Sequence, residues 1–151
     1  EIQALTIASN PGFGRRTAIG VELSRLNMIL AVLEKRAGIS LTTQDVYVNI
    51  VGGIRPEGTA SDLAVALAVY SSYSGKKPPE MTIALGEIGL TGELRSIQHT
   101  DKIVREAARM GFKRIIMPEK NAERLRSQKD LSAKIQILGV RRIYDALRLM
   151  S

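Results

Sequence analysis

Lys102, Arg105 and Arg109 are spaced by three and then four residues, a spacing that on a helix places all three cations on one face. A stripe of this kind suits one chemistry above others, which is charge-assisted hydrogen bonding to an anion such as a phosphodiester backbone. Lys113 and Arg114 extend the charge beyond the expected end of that helix, at Gly111. Arg15, Arg16 and Arg55 stand beside turns, where an arginine meets a polyanion, caps backbone carbonyls or binds a neighbouring subunit. A solvated surface helix carries the same stripe, and Asp101 with Arg105 and Lys102 with Glu106 are i,i+4 pairs placed to neutralise part of it. Acid–base and metal chemistry are poorly provided for. His99 is the only histidine, cysteine is absent, and neither HxxxH nor HExxH occurs, so His99 is expected at the surface or at a helix start and no metal site is expected. No GxxxxGK[ST] loop is present: Gly75-Lys76 is followed by Lys77, and Tyr70 stands where the first glycine belongs. Gly12, Gly14 and Gly20 do not make GxGxxG, and their expected duty is in turns. The chain is not expected to hydrolyse ATP.

A chain of 151 residues with 44% hydrophobic residues is the size of one domain, 1–151, and builds a core without staples. Without cysteine there is no disulfide framework, a usage that fits a cytoplasmic protein. No apolar run approaches the roughly 20 residues needed to span a bilayer, and the start, EIQALTIAS, has neither the basic region nor the apolar core of a signal peptide. No membrane partner is expected. The net charge of +7 is unevenly spread. Residues 1–94 hold 8 Lys/Arg against 9 Asp/Glu, whereas residues 95–151 hold 14 against 6, so the second part is the candidate footprint for a polyanion. Phe13, Tyr47, Tyr70, Tyr73, Phe112 and Tyr144 are the only aromatics, several at positions that read as core, which favours phosphate contact over base stacking.

The elements that must position these groups follow from periodicity. Ile2–Ala8 reads as a strand, Asn10-Pro11-Gly12 with Gly14 as a turn, and Thr17–Val21 as an extended segment returning antiparallel to the first strand. From Glu22 to Ala37, Leu23, Leu26, Ile29, Leu30 and Leu33 recur at helical spacing, and Gly38 is the natural stop. Asp45–Val51 alternates as a strand, ended by Gly52-Gly53. Thr59-Ala60-Ser61-Asp62 resembles a capping box opening a helix from Ala60 to about Ser74, which is apolar nearly all round and so should be buried. Pro78-Pro79 precede a short strand, Met81–Leu85. Ile103, Val104, Ala107, Ala108 and Met110 mark an amphipathic helix ending at Gly111. The strands Arg114–Met117 and Ile135–Leu138, a turn or helix start at Pro118 and a closing helix Arg141–Leu149 complete an α+β pattern.

Gly86 to Arg95, GEIGLTGELR, is the most specific stretch. Ile88 and Leu90 alternate with Gly89 and Thr91, the glycines permit positive φ or close approach, and Glu87 and Glu93 flank what must be a tight hairpin. This stretch, together with FGRRTAIG at Phe13–Gly20, SRLNMILAVLEKRAG at Ser24–Gly38, DVYVNIVGG at Asp45–Gly53, SDLAVALAVYSS at Ser61–Ser72 and EAARMGFKRIIMPEKN at Glu106–Asn121, resembles the C-terminal Lon-protease-like domain of the RadA (Sms) family of bacterial DNA-repair proteins. The resemblance covers essentially the whole chain and implies a ribosomal-protein-S5-domain-2-like fold. It implies a place behind a RecA-like ATPase core, a hexameric ring as homo-oligomer, single-stranded or branched DNA as partner and a RecA-type recombinase as a further one. It also implies a parent that is a DNA-dependent ATPase promoting branch migration, with ATP, Mg and Zn bound only in parts outside this chain, which itself needs no cofactor.

Lon proteases use a serine at the start of the central helix and a lysine after the hairpin whose lowered pKa lets it take the serine's proton. Counted from the hairpin, the resemblance sets those positions on Ala60 and Ile103, and neither a methyl nor a sec-butyl group serves. Ser61 and Lys102 each lie one residue away and form the rival dyad of an active peptidase; adjacent helical residues stand about 100° apart around the axis, which argues against that pair. The expectation is a scaffold and DNA-contacting domain without peptidase activity. An oligomerisation domain that makes no DNA contact is the other alternative.

Overall fold

The computed structural model describes residues 1–9, 12–52 and 58–151. β3 (Gln44–Ile50) takes the centre of the first sheet, where both its edges are paired. On one side β1 (Ile2–Ala8) runs antiparallel to it, from Ile2 opposite Ile50 to Ala8 opposite Gln44. On the other side β2 (Arg16–Ile19) runs parallel, from Arg16 opposite Val46 to Ile19 opposite Asn49. β2 is therefore opposite in direction to β1 but not its neighbour, which corrects the expectation of a simple return: β3 inserts between them. Alternation along β3 sends Val46 and Val48 into the core and leaves Tyr47 on an outer face with Leu5, Ile7 and Ile19.

The inner face is covered by two helices. α1 (Leu23–Ala37) buries Leu26, Ile29, Leu30, Val32 and Leu33 and ends on Gly38 in the left-handed region, with Lys35 and Arg36 in its last turn, where cations suit the helix dipole. α2 (Asp62–Ser74) is the buried central helix, with Leu63, Val65, Ala66, Leu67 and Val69 in the core. It begins later than Ala60, and the capping box does not form. The amide of Asp62 donates to the Thr59 main-chain oxygen at 3.1 Å, and no side chain caps the helix. The Asp62 carboxylate is committed elsewhere, as described below.

The second sheet is parallel, in the order β4 (Thr82–Ala84), β7 (Arg114–Pro118), β8 (Gln136–Val140). Central β7 is buried on both faces, hence its unbroken apolar run Ile115-Ile116-Met117: Ile116 joins the first core, and Ile115 and Met117 the second. That second core is closed by α3 (Thr100–Arg109), α4 (Glu119–Arg126) and α5 (Lys129–Ser132) through Val104, Ala107, Ala122, Leu125 and Leu131. On α3, Ile103 is half-buried against this core, whereas Met110, expected on the same apolar face, is 50% exposed beyond the helix end. α5 has four residues, too few to show a period in sequence. α6 (Ile143–Leu147) returns the chain to the first core and is shorter than the expected Arg141–Leu149.

The hairpin forms as expected from β5 (Glu87–Ile88) and β6 (Leu94–Arg95). Gly89 donates to the Glu93 carbonyl at 2.9 Å, and Gly92, at φ 83°, donates to the Gly89 carbonyl at 3.0 Å, a turn that only glycine enters without strain. The result is a mixed α/β domain with small sheets. Among the described residues no helix is long and apolar enough to cross a membrane.

Candidate functional site

The start of α2 and the hairpin meet beside Ala60, one of the two positions that the resemblance sets for a dyad. Ala60 is buried, its carbonyl accepts from the amide of Gly86 at 2.9 Å, and the amide of Leu63 donates to the Gly86 carbonyl at 3.1 Å. Beside this main-chain stitching lies an ion pair that the sequence reading missed. Asp62, 2% exposed, accepts from Nε of Arg25 on α1 at 2.9 and 3.1 Å and from Nη2 of the same guanidinium. Arg25 Nη2 also donates to the Ile88 carbonyl at 3.1 Å, while the Ile88 amide donates to Asp62 at 3.0 Å. The hydrogen bonds to Asp62 hold the Arg25 guanidinium above its ordinary pKa, against the opposing effect of burial. One signal was available: Asp62 opens a helix whose other residues are nearly all apolar, and an isolated acid in such a place needs a partner.

Ser61 lines a groove of about 1000 Å³ between β1, α2 and β4, together with Ala64, Ala68, Ile83 and Phe112, and a smaller cavity of about 420 Å³ beside Arg25 and Asp62. Lys102 and Ile103 line neither. Lys102 is exposed on α3, and no hydrogen bond joins it to Ser61. Among the described residues the fold does not bring Ser61 and Lys102 together.

The cationic stripe is present on α3, but its charges are distributed differently from the expected i,i+4 pairs. Arg105 pairs with Asp130 of α5 at 3.2 Å, not with Asp101. Glu106 takes Arg109 at 2.6 Å instead of Lys102, which raises the Arg109 pKa. Asp101 accepts from Gln128 at 2.9 Å and faces Arg124 at 3.7 Å, and the Gln128 hydrogen bond first, then the nearby guanidiniums, hold its carboxyl below the usual range. Asp101 faces α4 and the start of α5, which bring longer-range partners within reach, whereas Glu106 keeps its partner on α3. Among the described residues Lys102 forms no ion pair.

The remaining basic residues are scattered. Lys113 is exposed, and Arg114 is half-buried and donates to the Glu80 carbonyl at 2.9 Å. Arg16 caps the carbonyls of Gln44 at 2.5 Å and Leu41 at 2.8 Å, so its guanidinium serves the turn. Arg15 is exposed, with its amide donating to Asp45 at 2.7 Å. Arg55, Asn10, Pro11 and Gly53 lie outside the described residues. His99 is exposed at the start of α3 with φ 60°, as expected of a helix-start residue. Among the described residues no group of three or more His, Cys, Asp or Glu is placed to hold a metal ion.

The family model described as subunit ChlI of Mg-chelatase matches residues 16–121. Proteins named DNA repair protein RadA align with nearly the whole chain: that of Halalkalibacterium halodurans is 42% identical over 147 residues, 97% of this chain and 31% of its own length. That of Escherichia coli is 40% identical over 97% of the chain and 31% of its own, and that of Bacillus subtilis 38% over 98% and 32%. The chain belongs to the ChlI family, with its Lon-like fold, in the form that RadA DNA-repair proteins carry as one domain. It spans about a third of the length of the curated relatives it matches.

Proposed function

We propose that this chain is a non-proteolytic, Lon-like scaffold and DNA-contacting domain of a RadA-type DNA-repair protein, with the ribosomal-protein-S5-domain-2-like version of the fold. In that reading the whole protein is a cytoplasmic DNA-dependent ATPase promoting branch migration, assembles as a ring and works beside a RecA-type recombinase, and its ATP, Mg and Zn are held by other domains. What supports the absence of proteolysis is the ground around α2: Ala60 and Ile103 occupy the positions of the dyad, and Ser61 shares no cavity with Lys102. A serine without an adjacent base stays protonated and weakly nucleophilic. What supports DNA contact is the excess of 14 Lys/Arg over 6 Asp/Glu in residues 95–151. The first test is incubation with an unfolded protein substrate. No cleavage is expected, and cleavage abolished by both Ser61→Ala and Lys102→Ala would establish the dyad instead. The second is DNA affinity as a function of salt, where a steep fall is expected. Affinity indifferent to salt, or absent in the assembled protein, would leave a scaffold for oligomerisation only.

A further inference from the structure

Ion pairing separates the two basic regions of the surface. On α3, α4 and α5, seven cations stand among five acids, and Arg105, Arg109, Arg124 and Arg126 are each paired with a carboxylate. A phosphate approaching those arginines competes with a partner already in place. Around the hairpin the balance differs. Arg36 packs across Gly92, and a Cβ there would meet its Cγ at 3.1 Å. Arg142 bridges antiparallel to Glu93 and donates to the Thr91 carbonyl at 3.2 Å, the Leu94 amide donates to the Arg141 carbonyl at 2.9 Å, and Arg95 belongs to the hairpin itself. Four arginines from three elements thus converge on residues 91–95, and Lys35 adjoins Arg36. Among the described residues the acids nearby are Glu87, Glu93 and Asp145, and the one ion pair formed is Arg95 with Glu93 at 3.6 Å. Arg36, Arg95, Arg141 and Arg142 are all exposed, and Leu90 at the apex is 72% exposed, so the domain itself covers neither the arginines nor the tip.

We propose that the hairpin, and not the α3 stripe, is the centre of the DNA-contacting surface, with Arg36, Arg95, Arg141 and Arg142 meeting successive phosphates. The proposal rests on the DNA-contact reading above and names its site. Among the described residues Arg36, Arg141 and Arg142 have no carboxylate partner and bind phosphate without first breaking an ion pair, Arg95 has only the longer contact with Glu93 to give up, and their planar forks suit phosphate. The hairpin and the loop before α6 are tied together by main-chain bonds, and the end of α1 packs on Gly92 through the Arg36 stem, so the backbone positions from which the four side chains extend are fixed without a ligand. Such contacts carry little sequence preference and strong salt dependence.

Amide chemical shifts of the chain, titrated with a short DNA duplex at low salt, test this directly, because the method detects weak contacts. The expected result is shifts centred on Thr91–Arg95, Arg141, Arg142 and Arg36, lost in an Arg141→Gln, Arg142→Gln double variant whose other resonances are unchanged. The double variant should also flatten the slope of log K against log salt by about 1.8. Shifts confined to Thr100–Arg109, or a double variant that binds as the parent does, overturn the hairpin site while DNA contact stands. No shift at any residue overturns DNA contact itself and the hairpin site with it.

Discussion

Asp62 carries a charge into the first core, and its effect on stability depends on what remains when one partner is removed. In Asp62→Ala the Arg25 guanidinium stays partly buried without a counter-charge and the Ile88 amide loses its acceptor, so a loss of about 3–5 kcal/mol is expected in chemical denaturation. The Arg25→Met, Asp62→Leu double variant removes the stranded charge, leaves only the Ile88 groups unpaired, and should lose less than the single variant. Strict additivity of the single effects would show that the two side chains are not coupled. At the surface, Asp101 has a depressed pKa, so its contribution is present above about 3.9, the ordinary aspartate value, and disappears as pH falls through the lower folded value. The gap in melting temperature between the parent chain and Asp101→Ala should therefore narrow as pH is lowered from neutral through the ordinary aspartate range. The sequence disclosed which residue types were available for chemistry and that Ala60 and Ile103 were unfit for a dyad. It did not disclose partners. Glu106 with Arg109 and Asp62 with Arg25 are choices made by packing, the second across 37 positions.

At the scale of elements, strands and helices with a sustained period were legible almost residue by residue, as in β1, α1 and the hairpin. What was not legible were pairings and short elements. Nothing in a four-residue β2 says whether its neighbour is β1 or β3, since both choices bury the same face, and α5 is shorter than the period that would reveal it. The α3 face was read slightly out of phase. Val104 and Ala107 are its fully buried positions, Ile103 sits at the margin, and Met110 lies past the helix end. Val104→Lys should accordingly cost about 3–5 kcal/mol, because its ammonium has no route to water, whereas Ile103→Lys should cost about 1 kcal/mol, its stem lying along the core while the charge reaches solvent. Equal losses in a urea titration would mean that α3 packs with Ile103 inward.

For the whole molecule the governing fact is that two cores share one sheet, β4-β7-β8, with β7 at its centre. β7 gives Ile116 to the first and Ile115 and Met117 to the second, so neither core keeps its full set of contacts if the other dissolves. Unfolding should therefore be one cooperative event, and the chain offers a means of observing it. All four tyrosines, Tyr47, Tyr70, Tyr73 and Tyr144, belong to β3, α2 and α6, the elements around the first core, and there is no tryptophan to obscure them. Leu125, fully buried in α4, belongs to the second core. Leu125→Ala should cost about 2–5 kcal/mol through lost burial and the cavity left behind, equivalent to a fall in Tm on the order of 10 °C for a domain of this size. With the cores coupled through β7, tyrosine fluorescence and far-UV circular dichroism should report the same lowered midpoint, although the substitution touches no tyrosine-bearing element. A tyrosine transition that stays at the parent temperature while part of the dichroism signal melts early would instead show two cores unfolding independently, with β7 unable to transmit the loss.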